Sequence, residues 1–545
     1  MKKLIATLML MGACAVTTAQ TLTASYKNDI EVNPIIPFNL CADPTAVEYN
    51  GRLYVYGTND QQEYETTKDA TRNTYGKITQ LVCMSTADLV NWTFHGTINV
   101  KAAASWIWTS WAPSIVCREE ADGKTHFYMY FTNSAAGIGV ITATSPLGPW
   151  RDPIGHALID GNTPGRGEQS NIIDPGVCID DDGNGWLTFG GGDPNRNGSK
   201  LMPGNARIVK LGKDMISLDG PIKEIPAPFH FEANELNYIN GKYVFSYSGG
   251  WSCNNDDWNR YSGKSGFNCP GNCSILSMTT DDPINGTWKY TGEILKNPGN
   301  FGYPWGNNHS HLQKFGDNYY MIYHTQQLER KMGLSGGYRG IAINRTTIST
   351  STGRIVAPSM NNNGPTILPD ARPKAADGVV FEAESMANSA GVTVRRLGTT
   401  LTAVADIQTG DWTMVRGFSF PEGAQSLKVR VRGKGVLELR LSSKTSKAVA
   451  TIPFDSSGWT ELTVDLDEPI EPGSVYTYLY FVFTEAGGLT QFDNYEFSTT
   501  TTPIHDIIAE PASEETIYDL TGRKIDDVSH RGIYIVNGKK KLVRP

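Results

Sequence analysis

The sequence predicts an all-β protein: a five-bladed β-propeller over residues 20–360, then a β-sandwich of jelly-roll type over residues 378–498. Three observations carry that expectation. The 545-residue chain is rich in turn formers and aromatics, with 56 Gly, 29 Pro, 24 Tyr, 19 Phe and 12 Trp, which favours short strands joined by tight turns. One local signature, a turn ending in Gly followed by an aromatic strand, recurs five times in the first 350 residues. A different run of alternating strands follows it after a polar, Pro-containing stretch. Length alone implies two or three domains. A hydrophobic content of 39% excludes a multispanning membrane protein. A net charge of −8 argues against a nucleic-acid partner.

The N-terminus comes first. Met1–Ala19 has Lys2 and Lys3, an apolar stretch from Leu4 to about Val16, and small residues before Gln20. That pattern predicts a signal peptide, and hence a secreted, periplasmic or cell-surface protein with no membrane span. Seven cysteines remain beyond it, an odd count that leaves a free thiol. Cys41, Cys83, Cys117 and Cys178 stand singly in apolar runs and read as buried small side chains. Cys253, Cys269 and Cys273 share a polar loop without a histidine, so one local disulfide is expected there rather than a metal site.

The repeat organises the next 350 residues. Its five copies are YNGRLYVYGTND (49–60), ADGKTHFYMYFTNS (121–134), DDGNGWLTFGGG (181–192), INGKYVFSYSGG (239–250) and KFGDNYYMIYHTQ (314–326). Their glycines are 72, 60, 58 and 75 residues apart. Asn-Gly and Asp-Gly between apolar strands mark hairpins, and a period of this size fits one four-stranded propeller blade. A propeller brings the innermost strand of every blade to one axis.

The strand before each hairpin glycine therefore matters most. It carries Asp43 in blade one, Asp174 in blade three and Glu232 in blade four, eight or nine residues before the glycine. Blade five offers His309, and blade two offers Trp111 instead of a carboxylate. Carboxylates in apolar strands are costly unless they have a task. Three of them in phase suit glycoside hydrolysis, in which one ionised carboxylate activates water and a second, protonated one donates to the leaving oxygen. A third raises the acid's pKa by repulsion.

The motifs ADPT (42–45), WAPSI (111–115), IIDPGVCIDDDG (172–183), FEANELNYINGKYVFSYS (231–248) and NNHSHLQKFGDNYYMIYH (307–324) resemble, in order, glycoside hydrolase family 43. The resemblance implies an inverting mechanism with Asp43 as general base, Glu232 as general acid and Asp174 as the acid that modulates pKa. It places His309 on an axial histidine beside a calcium, and Arg339, in GGYRGIAINRT, on an arginine that touches substrate. It implies no cofactor for the chemistry. The sequence departs from the pattern at Glu232-Ala233-Asn234, where many relatives have Glu-Gly-Pro. Glu235 competes for the acid role, but alternation puts it on the opposite strand face from Glu232. His311 competes with His309. Asp180–Asp182 read as a polar hairpin tip rather than a metal loop. The tract WIWTSW, including Trp111, and Trp251 offer faces for sugar rings or for blade packing.

A linker is expected over residues 361–377. The strands that follow resemble family 6 carbohydrate-binding modules through FEAE, GDWTMV and QFDNYEF. That resemblance implies a structural calcium at Glu382 and Glu384. Such modules hold sugar between two aromatics, yet Thr490 stands where a Trp is expected and residues 404–412 lack a Tyr. Glycan binding and simple packing against the propeller are both consistent with this. The tail, 499–545, ends in a basic hairpin that resembles a Bacteroidetes sorting domain. Together these readings describe a monomeric, secreted enzyme acting on plant cell-wall polysaccharide or oligosaccharide, releasing α-L-arabinofuranosyl or β-xylosyl units. The alternatives are an endo-acting arabinanase or xylanase on the same fold and a non-catalytic glycan-binding protein. A fructan-cleaving propeller would need Glu-Cys and Arg-Asp-Pro signatures that are absent.

Overall fold

A computed structural model describes residues 21–501, apart from 169–170, 193–201, 350 and 399–400, together with four short strands between 517 and 543. The expected signal peptide lies outside the described residues. Five antiparallel four-stranded sheets make the blades. Their innermost strands are Ala42–Tyr49, Trp111–Glu119, Gly176–Ile179, His230–Ile239 and Ser310–Phe315. Each is followed by its predicted hairpin, and all five hairpin glycines have positive φ, between 56° and 78°. At Asn50-Gly51 and Asn240-Gly241 both turn residues are left-handed, the geometry that matches strand twist in a two-residue hairpin.

The innermost strands pack side by side around the axis, and blade five returns to blade one. At Gly176 a Cβ would lie 2.6 Å from Thr188 Oγ1 and 2.7 Å from Glu235 Cα. Only glycine lets blades three and four approach this closely. The ring closes through the segment before blade one. Ile35 N donates to Ile341 O at 2.9 Å, and Cys41 N donates to Arg339 O at 2.8 Å.

The second module is one nine-stranded antiparallel sheet curled around a core that includes Trp412, Phe418, Phe481 and Phe497. It is the expected β-sandwich with its two faces joined by continuous pairing. The module adds a strand to blade one: Ser385 and Met386 pair with Thr93 and Trp92 at the blade's outer edge. Asn91 grips the module reciprocally, its Nδ2 donating to Arg416 O (2.9 Å) and its Oδ1 accepting from Arg416 N (2.8 Å). The residues before blade one strap across the same module, where Asp29 Oδ2 accepts from Lys444 Nζ (2.8 Å) and Tyr480 OH (2.9 Å). The predicted linker is pinned as well, with Leu368 N on Asp88 O.

Cys253 and Cys269 form a disulfide, and Cys273 is the free member of that trio. Cys41, Cys83 and Cys178 are buried as expected, whereas Cys117 is half-buried. Residues 500–545 form a separate compact unit, in which Gly532–Val536 and Lys539–Val543 pair as the predicted hairpin.

The junction yields a test. Asn91→Ala leaves a buried N–H and C=O of Arg416 without partners, at a cost of about 1–3 kcal/mol. Chemical denaturation should show that loss, while Asn285→Ala, on an exposed turn, should leave stability near the wild-type value.

Candidate active site

The innermost strands do not run straight into the axis. In three of them, and two residues before the strand of blade three, a non-glycine residue takes a left-handed conformation: Asp43 (φ 49°), Ala112 (41°), Ala233 (61°) and Asp174 (52°). The pairing register slips at three of these places, between Ala42 and Thr45, Trp111 and Ser114, and His230 and Glu235. Such kinks cost about 1–3 kcal/mol each and persist only when their surroundings hold them.

What holds them is the preceding blade. Asp43 N donates to His324 Nδ1 of blade five (3.1 Å). Ala112 N donates to Thr58 Oγ1 of blade one (2.8 Å). Asp174 N donates to Thr132 Oγ1 of blade two (2.8 Å), and Ala233 N donates to Asp174 Oδ2 (2.7 Å). The register also corrects the expectation that the three acids share one offset. Glu232 pairs with Ser248 as Ala42 pairs with Thr58 and Trp111 with Thr132. Glu232 is therefore the counterpart of Trp111, one position before the kink, whereas Asp43 and Asp174 sit on it.

Asp43 is buried and crowded with donors. Arg339 Nη1 reaches its Oδ1 at 2.8 Å, and Thr58 Oγ1 donates to its Oδ2 at 2.8 Å. His309 Nδ1 lies 3.5 Å from Oδ1. His324 is neutral: its Nδ1 accepts from the Asp43 amide and its Nε2 donates to Asn307 O. Burial alone would raise the Asp43 pKa, but Arg339 and these hydrogen bonds hold it well below the usual range. Asp43 is thus ionised at neutral pH.

Glu232 behaves oppositely. Burial and the negative charges of Asp174 and Asp43 push its pKa up to about 8. Asp174 is raised by burial and by Asp43, with His309 and the Ala233 N–H pulling the other way. Burial lowers His309, but Asp43, Asp174 and Glu235 outweigh it and raise its pKa. One ionised carboxylate and one protonated one, near enough for their charges to interact, are the pair that acid–base catalysis needs.

Glu235 is not in this group. It is buried, with Oε1 3.0 Å from His311 Nδ1, between blades four and five. Strand alternation is not the reason, because the left-handed Ala233 breaks it; the kink turns the two glutamates to different neighbours. Asp180 is the predicted hairpin tip, its carboxylate accepting from Asn184 N, Trp186 Nε1 and Tyr243 OH.

Three contributors were not singled out in the sequence. Asp60, wholly buried, binds Arg339 through Nε and Nη2 at 2.9 Å each and through its backbone N–H at 3.0 Å. It opens a short helix, Asp60–Thr67, inserted between the second and third strands of blade one. Glu63 of that helix holds Lys77 N and Thr74 Oγ1, fixing the loop that carries Tyr75. The Arg339 guanidinium lies 5.1 Å above the Tyr75 ring, and Trp111 Nε1 donates to Tyr75 O. The signal was present in Asn59-Asp60-Gln61-Gln62, where an Asn three residues before Gln marks a helix start; Asn59 indeed caps it.

Residues 31–351 match the profile of Glycosyl hydrolases family 43. The chain belongs to that family. Residues 382–499 match the carbohydrate binding module of family 6. The chain is 35% identical over 508 residues to an arabinoxylan arabinofuranohydrolase of Bacillus subtilis (strain 168), covering 88% of this chain and 95% of that one. An arabinoxylan arabinofuranohydrolase of Paenibacillus polymyxa is 34% identical over 491 residues, 86% of this chain and 74% of that one. A crystal structure of the family 43 arabinoxylan arabinofuranohydrolase from Bacillus subtilis, in complex with cellotetraose, superposes with a TM-score of 0.79 at 34% identity, covering 88% of this chain and 99% of that one. The protein is a glycoside hydrolase, and its fold is the five-bladed propeller with the family 6 module.

Among the described residues, no three His, Cys, Asp or Glu side chains are gathered to hold a metal ion. His309 turns Nδ1 toward Asp43 and has no such set around it. In the second module Glu384 is buried, its Oε2 has no partner, and burial with the charges of Glu382 and Asp493 raises its pKa to about 8. That chemistry fits a cation there better than it fits empty space.

Asp60→Asn supplies the test of this network. Arg339 would be held less firmly on Asp43, so the Asp43 pKa should rise and the acidic limb of the pH–rate profile should move to higher pH. The turnover should fall by roughly tenfold, about 1.4 kcal/mol of transition-state stabilisation.

Proposed function

We propose that the chain removes α-L-arabinofuranosyl units from arabinoxylan by an inverting mechanism. The observation that carries this is the division of protonation states at the axis: Asp43 pinned as a carboxylate by Arg339, and Glu232 raised to about 8. The substrate class rests on the two arabinoxylan arabinofuranohydrolases aligned over most of this chain. In this reading Asp43 removes a proton from water, which attacks the anomeric carbon. Glu232 gives its proton to the departing glycosidic oxygen. Asp174 keeps Glu232 protonated through its charge and fixes the Glu232 backbone turn through Ala233 N. Arg339 and His309 hold Asp43 and contact the sugar, and Trp111 lends a ring face at the pocket wall. A β-xylosyl specificity is the second reading, since xylosidase/arabinosidase relatives align with the catalytic region.

We also propose export, on the sequence features of Met1–Ala19 and of the basic terminal hairpin, and a monomeric state. A calcium held by Glu382 and Glu384 would neutralise the carboxylates that otherwise repel one another beside Asp493. The axial cation implied for His309 has no comparable support, and no step depends on it.

Two sets of measurements check these readings. Asp43→Asn and Glu232→Gln should each lower kcat on nitrophenyl α-L-arabinofuranoside by about 10²–10⁴-fold. Anomeric NMR should show inverted arabinose as first product; retention would remove the base mechanism. Activity should decline above pH about 8 as Glu232 loses its proton. Asp174→Asn should move that alkaline limb to lower pH, because one like charge is gone. For the module, calcium should raise the unfolding midpoint and EGTA lower it, with a gain of about 2.7 kcal/mol at a hundredfold excess over Kd. Glu384→Gln should erase the difference.

A further inference from the structure

One cavity lies away from the axis. It lies where blades one and two meet the second module, with a volume of about 780 Å³. A second cavity of about 400 Å³ shares Gln80, Thr97 and Arg396 with it. The two are therefore one groove along the flank of blade one. Its upper end is lined by Asn59 and Gln62, at the start of the helix whose Asp60 holds Arg339. Its lower end is lined by Leu147 and Trp150 of blade two. The strand Thr393–Arg396 of the second module walls one side.

The lining has a definite chemistry. Asn59 and Gln62 are committed to the helix start and to Thr79 and Gln80, whereas Gln80 and Asn99 use only their oxygens, leaving Gln80 Nε2 and Asn99 Nδ2 as amide donors toward the cavity. Trp150 adds an aromatic body, and its Nε1 is buried with no partner. Charges of both signs occur: Arg395 is paired with Asp406, and Glu65 and Arg396 add one of each sign, so no net field selects an ion. His95 is held neutral, since burial and the neighbouring Arg52 and Arg396 push its pKa down to about 4. The volume lies in the range of ligand sites, roughly 300–1,000 Å³. The slot that the module itself should use lacks its aromatic: Thr490 is buried and donates to Lys434 O at 2.8 Å.

We propose that this junction groove is a second carbohydrate site that holds an unsubstituted main-chain segment of the polysaccharide. The amide donors of Gln80 and Asn99 beside the Trp150 ring match a neutral, polyhydroxylated chain, and the module, fixed on blade one by strand addition and the Asn91 grip, closes one side of the site with Arg396 and Thr402. The inference rests on the arabinoxylan reading above and adds to it a place for the polymer backbone outside the catalytic axis.

The test uses the full chain and unsubstituted xylohexaose, titrated by calorimetry into wild type, Thr97→Trp, which fills the groove, and Arg396→Ala. Turnover of nitrophenyl α-L-arabinofuranoside and the KM on arabinoxylan are measured in parallel. Both variants should bind xylohexaose about tenfold more weakly and show a raised KM on arabinoxylan, with turnover of the small arabinoside unchanged. Wild-type affinity and KM in both variants, or no xylohexaose binding by the wild type, would overturn the groove. A wild type that turns over neither the small arabinoside nor arabinoxylan would instead overturn the proposed activity.

Discussion

The catalytic geometry depends on a chain of hydrogen bonds that passes from blade to blade. Each left-handed residue on an innermost strand is held at its amide by a side chain of the blade before it: His324 for Asp43, Thr58 for Ala112, Thr132 for Asp174, and Asp174 for Ala233. Without that hold the strained residues would relax toward ordinary strand geometry, and the carboxylates would swing away from the axis. Asp174 and Thr58 serve twice. Asp174 is held by blade two and itself holds the turn that aims Glu232. Thr58 links the Asp43 carboxylate to the backbone of the next blade. Rigidity and chemistry therefore use the same atoms.

Electrostatics then divides the roles. Two buried aspartates and the half-buried Glu232 interact through their charges at the axis, and Arg339 is placed against only one of them. Asp60 fixes that choice by occupying the remaining edge of the guanidinium. The carboxylate against the cation stays ionised, as the proposed base must. Glu232, which makes no ion pair with it and feels the charges of Asp174 and Asp43, keeps its proton. Burial raises all three pKa values in the same direction, so position relative to one cation decides which becomes which.

Much of this was legible in the sequence, and the limits have physical causes. The hairpin glycines marked the blades because each of the five turns needs a residue at positive φ, which glycine adopts without strain. Asp43, Asp174 and Glu232 stood out because charge in an apolar strand needs a reason. Their relative offset was not visible, since a kink after Ala42 or Glu232 changes register without changing composition. Asp60 and Tyr75 were missed because they act through Arg339, almost 280 residues away in the case of Asp60, and no local pattern reports such a partner. The docking of the second module was likewise hidden. Ser385-Met386 reads as an ordinary step in its own sheet, and only the fold shows it completing the edge of blade one.

Ring closure explains why the site can form only in the finished fold. Arg339 lies at the start of the third strand of blade five, and Asp43 lies at the start of blade one, 296 residues apart. Three contacts join these regions: Cys41 N to Arg339 O, the Arg339 guanidinium to Asp43, and Asp43 N to His324. The same contacts close the propeller. Closing so long a loop costs conformational entropy that grows only slowly with length, and blade packing around the axis offsets it. Before closure Asp43 lacks both Arg339 and the blade-five histidines that pack against it. A propeller left open between blades five and one therefore lacks the ion pair that holds Asp43 ionised.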